Sequence, residues 1–344
     1  MFKRNTLFSS ASLSVLLAIS LLICGCQNPA TQATKDALPA PSEPDENPQR
    51  WQAVDLYVDA KTLSDSSDYE GALEKLNMAI EQAPDFAIAL SFRGDIYQAM
   101  QKFEESADSY EAATVIDPYS FKDFLNLGKV AQITGNYQRG LDAFIEAVEL
   151  QPQDPEANIG VAQCYYHLKD YPQSLEYGIR AKEIAPESSA PEIVIADTYF
   201  AMGDYLAAVD SYKRVLQIDG NKSKVMVSLA GAYVKTKDFT EARQLLTSAI
   251  EIDSGNGTAH QYLGFVNLML KQYDLAIKSY IRAVLIDDND WVAHKGLGVV
   301  YIMQSLKKNN DPTLREMGIS EWKKSLTINP DQPQLKKLLK KYVP

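Results

Sequence analysis

Cysteine is almost absent from the body of this chain. Of three cysteines in 344 residues, Cys24 and Cys26 lie near the N-terminus and only Cys164 lies beyond, so no internal disulfide framework can hold the fold. Positive charge is also short. Lys and Arg number 34 against 45 Asp and Glu, a formal net charge of −11, and such a body repels phosphate backbones and anionic surfaces. Nucleic acid is therefore not an expected partner. No HExxH, GxSxG, Walker loop or paired CxxC occurs in the body. Gly296-Leu297-Gly298 is the nearest approach to a glycine-rich loop, but it falls inside a helical pattern and reads as a packing feature. The chain is expected to be no enzyme and to carry no cofactor or metal.

Long apolar runs are missing too. The longest begins near Leu13 and ends at Ile23, shorter than the roughly 20 residues a bilayer span needs. With Lys3 and Arg4 before it, it has the layout of a signal peptide. Its end, Ile23-Cys24-Gly25-Cys26, resembles the lipobox of bacterial lipoproteins, with an aliphatic residue three before the modified cysteine and a small one directly before it. That resemblance implies a signal peptide over 1–25 and an acylated Cys26 as lipidation site, anchoring the chain to a membrane. Gln27, where inner-membrane lipoproteins of enteric bacteria often carry Asp, favours a periplasm-facing place on the outer membrane by the same resemblance. Residues 26–52 contain five prolines and read as a flexible tether.

What the chain has is repetition. Aromatic residues stand at Tyr69, Phe103, Tyr137, Tyr171, Tyr205, Phe239 and Tyr273, each 34 residues after the last. Small residues keep the same period at Ala60, Gly94, Gly128, Ala162, Ala196, Ala230, Gly264 and Gly298, as do Ala79, Ala113, Ala147, Ala181, Val215, Ala249 and Ala283. Each unit holds two amphipathic stretches joined by a short polar turn, as at Gly135-Asn136 or Gly203-Asp204. A small residue in the first helix lets the second approach, and a large one opposite fills the gap: Leu76, Tyr110, Phe144, Tyr212, Leu246 or Tyr280. Pro84, Pro118, Pro152 and Pro186 close the early units.

These columns resemble the tetratricopeptide repeat family. The resemblance implies an all-α, right-handed α-solenoid of eight helix-turn-helix repeats over 53–332, starting near 53, 87, 121, 155, 189, 223, 257 and 291. Gly220, Ser254 and Asp288 replace the terminal proline in repeats five to seven, which predicts less rigid turns. Gly178 replaces the large filler in repeat four, so that hairpin is looser or filled from a neighbour. About eight extra residues around 307–312 predict a longer connection inside the eighth repeat. Residues 333–344 place Leu335, Leu338, Leu339 and Tyr342 on one helical face and four lysines on the other, a pattern for a C-terminal capping helix.

His260 and His294 share one column of adjacent repeats, but no carboxylate occupies it in these two repeats, so they read as packing residues. Cys164 falls in a column of buried types and reads as core. In the family, first helices line the concave face. Carried over, that face is polar in repeats one to three, with Lys61, Asp95, Gln98, Lys129 and Gln132. Later repeats offer Tyr166, Ile193, Phe200, Val227, Val234, Phe265, Leu268, Val299 and Ile302. This row is either an open groove for a protein or peptide partner or is partly core beneath neighbouring helices. The resemblance thus implies a membrane-anchored scaffold of the cell envelope; the alternative is a module that handles a polysaccharide or cell-wall glycan.

Overall fold

The computed structural model describes residues 48–342 and folds them into seventeen α-helices. The leader, Cys26 and residues 27–47 lie outside the described residues. Sixteen helices pair as hairpins. They are α1 (Pro48–Asp65) with α2 (Tyr69–Gln82), α3 (Ala87–Ala99) with α4 (Phe103–Ile116), α5 (Phe121–Ile133) with α6 (Tyr137–Leu150), and α7 (Pro155–His167) with α8 (Tyr171–Ile184). Then come α9 (Ser189–Met202) with α10 (Tyr205–Asp219), α11 (Ser223–Thr236) with α12 (Phe239–Ile252), α13 (Gly257–Met269) with α14 (Tyr273–Ile286), and α15 (Trp291–Lys307) with α16 (Pro312–Ile328). A single helix, α17 (Pro333–Tyr342), follows. The all-α array of eight helix pairs and a terminal helix is the one the 34-residue columns predict.

The turn inside each hairpin repeats as strictly as the columns do. Ser67, Gln101, Gly135, Lys169, Gly203, Lys237 and Lys271, again 34 residues apart, all have positive φ, from 59° to 86°. Only two of them are glycine, so five turns hold an L side chain in the left-handed region, at a cost of about 1–2 kcal/mol each. The next residue compensates in part. Asp68, Asn136, Asp170 and Asp204 each accept a backbone amide from the first turn of the second helix. The second helices of repeats six and seven end at Ile252 and Ile286, in register with Ile184 four repeats in, although Ser254 and Asp288 stand where proline stood. Helix end and turn are thus set by packing as well as by proline.

The core is a series of interlocking pairs. The filler residues Leu76, Tyr110, Phe144 and Leu246 are at most 1% exposed, and each lies against the small column of its own hairpin. Phe144 is held on both sides: a Cβ built at Gly128 would sit 2.7 Å from the ring and one at Gly160 2.6 Å. Where Gly178 removes the filler, the next repeat supplies it, since a Cβ there would meet Ile195 at 3.0 Å and Ile195 is buried.

Two expectations need correction. Residues 48–52, which the sequence groups with the tether, form the first turns of α1, where a proline at the helix start has no intrahelical hydrogen bond to lose. The extra residues of repeat eight do not lengthen the connection much. They extend α15 and α16 to 17 residues each, against 13 and 14 in the hairpin before, and Asp311 caps α16 through the amides of Thr313 and Leu314. Helix α17 packs on this last hairpin: Leu335, Leu339 and Tyr342 lie against Ile302 and Trp322, with the Trp322 and Tyr342 rings edge-on at 5.8 Å.

Candidate functional site

Neighbouring first helices touch one another (α5 with α7, α7 with α9, α11 with α13, α13 with α15), while second helices mainly contact the first helices beside them. In these stretches the first helices therefore occupy the narrower, inner side of the array, and their free faces form rows along it. Their chemistry changes along the chain.

In the first repeats the row is charged and internally paired. Asp95 accepts hydrogen bonds from the Tyr110 hydroxyl (2.5 Å) and from Lys122 (2.7 Å), and Lys129 meets Glu156 at 2.8 Å. Burial, helped by Asp95, pushes the Tyr110 phenol above its ordinary value. The middle of the row is aromatic. Tyr137 stacks on His167 with centroids 4.0 Å apart, Tyr166 lies edge-on to His167 at 5.2 Å, and Phe200 packs on Tyr205 at 5.4 Å. Beneath them Asp197 accepts the Tyr212 hydroxyl, and burial raises its carboxyl above the usual carboxylate range.

The last repeats open into a cleft of about 790 Å³. Its inner wall is built by Val234 and Lys235 of α11, Phe265 and Leu268 of α13, and Trp291, Lys295 and Val299 of α15. The far wall is α17 with the segment before it, through Asp331, Gln332, Leu335 and Leu338. The cleft is positioned by caps: Asp290 accepts the amides of Val292 and Ala293 to start α15 and also receives two hydrogen bonds from Gln261 of α13, at 2.8 and 2.9 Å. Lys295 lies over the Trp291 ring, 4.8 Å from its centroid. Phe265 (37% exposed) and Leu338 (41% exposed) leave apolar surface open to solvent.

The nine apolar residues singled out in the inner row divide on burial. Val234, Phe265, Leu268 and Val299 line the cleft. Tyr166, Ile193 and Phe200 are half-buried, the first in the aromatic stretch and the other two packed against the core of repeats five and six. Val227 and Ile302 are buried at 8% and 4% exposure, so the structure corrects their assignment to an open groove: neighbouring helices cover them. Lys235, Lys295, Trp291 and Leu338 were not singled out as groove residues, because what joins them is the return of α17 across the inner face.

Other candidates are occupied internally. His294 is buried, with Nδ1 2.5 Å from Glu321 and Nε2 3.1 Å from the Asp288 carbonyl, while His260 meets the Ser254 carbonyl. Among the described residues no group of three His, Cys, Asp or Glu could hold a metal ion. Cys164 is fully buried, and burial pushes its thiol up to about 12. No described helix is long and apolar enough to cross a membrane.

Comparison with known proteins agrees with this architecture. Residues 57–121, 125–189 and 199–263 match sequence profiles of the tetratricopeptide repeat. The small glutamine-rich tetratricopeptide repeat-containing protein 2 of Mycosarcoma maydis is 26% identical over 110 residues, 32% of this chain and 31% of that protein. Its namesake in Saccharomyces cerevisiae is 24% identical over 107 residues, 31% of each chain. The chain thus spans about a third of the length of these curated relatives. Among solved structures, the Cut9–Hcn1 hetero-tetramer of APC/C superposes with a TM-score of 0.59 at 17% identity, covering 84% of this chain and 55% of that one. A tetratricopeptide repeat protein of Parabacteroides merdae gives 0.57 at 16% identity, covering 73% of this chain and 99% of that one. At such identity these likenesses show the fold alone. With three stretches matched by repeat profiles and eight hairpins in phase, the chain belongs to the tetratricopeptide repeat family, whose arrays are scaffolds for protein–protein interaction.

Proposed function

We propose that this chain is a non-catalytic scaffold of the bacterial cell envelope, tethered by a lipid on Cys26 and periplasm-facing, on the outer membrane, that binds a segment of a partner protein along its inner face. The observation that carries the binding reading is the cleft over α11, α13, α15 and α17, where Phe265, Leu268, Val299 and Leu338 leave contiguous apolar surface beside polar rims. Exposed apolar surface in a concave row is costly unless a partner covers it. The tether rests on the sequence of the leader, the lipobox-like Ile23–Cys26 and the Pro-rich stretch after it.

Two experiments test the reading. Metabolic labelling with a fatty acid marks the protein, and Cys26→Ser abolishes the mark; a label that survives the substitution removes the anchor. Crosslinking in cells recovers a protein partner, and its yield drops when Leu338 and Phe265 are changed to Ser. A second reading, a glycan-handling module, draws on the aromatic stretch of Tyr137, Tyr166, Phe200 and Tyr205, because flat rings suit sugar faces. Recovery of polysaccharide and no protein from the same crosslinking favours that module and overturns the scaffold.

A further inference from the structure

The acidic body hides a segregation of charge. Helices α11, α13, α15 and α17, which build the cleft, contain no Asp or Glu at all. They carry Lys224 and Lys235, Lys295 and Lys307, and Lys336, Lys337, Lys340 and Lys341. The first helices of the preceding repeats mix both signs, with Asp55, Asp59, Asp65, Asp95, Asp123, Glu156, Glu192 and Asp197 beside Arg50, Lys61, Arg93, Lys122 and Lys129. In a chain of net charge −11 this leaves the cleft helices free of acidic residues, with Lys235 and Lys295 in the cleft lining and the four α17 lysines outside it.

The lysines differ in state as well as in number. Lys122, Lys129 and Lys182, on or beside the earlier first helices, are spent on Asp95, Glu156 and Glu192. Among the described residues Lys235 and Lys295 form no ion pair, although both line the cleft. The one acidic side chain lining it is Asp331. The two lysines share the lining with the aliphatic and aromatic side chains of Phe265, Leu268, Val299 and Leu338. Cations at the rim of a desolvated apolar wall attract an anion more strongly than the same cations in open water, and they repel a basic ligand.

We infer that the cleft between α11, α13, α15 and α17 docks an acidic polypeptide segment that interleaves carboxylates with apolar side chains, the carboxylates meeting Lys235 and Lys295 and the apolar groups filling the wall. A peptide fits better than an anionic glycan, because aliphatic side chains (Val234, Leu268, Val292, Val299, Leu335 and Leu338) outnumber rings in the lining and its broadest ring, Trp291, is covered by Lys295. This inference rests on the scaffold reading and specifies the charge of what the scaffold holds.

The test is fluorescence anisotropy on the full-length protein purified in non-ionic detergent, with a labelled synthetic peptide alternating Leu and Glu as probe. Its Lys-for-Glu and Ser-for-Leu counterparts serve as comparisons. Saturable binding of the Leu/Glu peptide is expected, weakened by salt, with both counterparts about tenfold weaker or worse. The pair Lys235→Glu and Lys295→Glu should weaken it by about tenfold, and Leu338→Ser, on an exposed position of α17, should weaken it without changing the salt dependence. Circular dichroism melts confirm that the variants fold; the single Lys235→Glu, at an exposed position, is read alone if the pair does not. Equal binding of the Lys-for-Glu peptide overturns the charge preference while leaving the scaffold reading intact. Displacement of the probe by alginate at lower concentration than by unlabelled peptide assigns the cleft to a polyanionic glycan and overturns the inference. Absence of binding by any peptide also overturns it, and crosslinking in cells then tells whether the scaffold reading falls with it.

Discussion

Gly160→Ala sets two well-measured effects against each other. In an open helix the change stabilises by about 1 kcal/mol, because glycine loses more backbone freedom on folding than alanine. Gly160 of α7 is not in an open position. Its Cβ would lie 2.6 Å from Cε1 and Cζ of Phe144, well inside the usual carbon–carbon separation of roughly 3.5–4 Å. The ring cannot retreat, because Gly128 of α5 clamps its other face and the side chain is 1% exposed. Overpacking of this kind costs about 1–3 kcal/mol. The expected net is therefore a loss of up to roughly 2 kcal/mol, opposite in sign to the propensity effect. Phe144→Leu, destabilising alone by about 1–2 kcal/mol for the void it leaves, should make Gly160→Ala far less costly when the two are combined. Urea unfolding followed by circular dichroism gives the totals. Amide hydrogen exchange in α5 to α8 localises the change, since a repeat array can open hairpin by hairpin. A Gly160→Ala protein stabilised by the full ~1 kcal/mol of helix propensity would show that the ring has room and the clamp is not real.

The remaining predictions concern other parts of the array. Cys164 should resist iodoacetamide at pH 8 in the folded protein and react promptly in denaturant, because burial pushes its thiol up to about 12; equal rates in both states would refute its place in the core. Lys182→Met should destabilise by roughly 1–2 kcal/mol, less than the ~3–5 kcal/mol of an orphaned buried charge, since it strips the 2.6 Å partner from Glu192, whose side chain is 3% exposed, but leaves Arg214 at 3.4 Å. Lys122→Met, at the more open pair with Asp95, should cost less than about 1 kcal/mol. Lys169→Gly should stabilise by about 1 kcal/mol in the same unfolding assay, because the residue sits at φ 65°. Asp197→Asn should raise the melting temperature at neutral pH. Its folded-state carboxyl is raised by burial, so Asp197 costs stability as pH climbs from below the ordinary value through the raised one. The Asn variant should lose that slope, and an unchanged pH profile would count against the burial.

The 34-residue columns determined, from sequence alone, the helix pairs, their phase and the identity of the small and large residues that interlock within each hairpin. These contacts are local and repeat with the chain, so spacing specifies them: Phe144 against Gly128 follows from the period. Contacts between hairpins depend on how helices lie after packing, and there only the tertiary structure decided. Ile195 fills the space beside Gly178, and Val227 and Ile302 turn out covered although their columns face inward. The insertion in repeat eight lengthens two helices, because continuing a helix adds a hydrogen bond per residue where a longer loop adds none. The left-handed turns at Ser67, Gln101, Lys169, Lys237 and Lys271 were invisible because their residue types do not announce that conformation. The cleft itself was half legible: Val234, Phe265, Leu268 and Val299 stood out as an apolar row. Its lysine rim and its far wall came only from the fold, since Lys235, Lys295 and Leu338 lie far apart in sequence and meet because α17 seals the last hairpin.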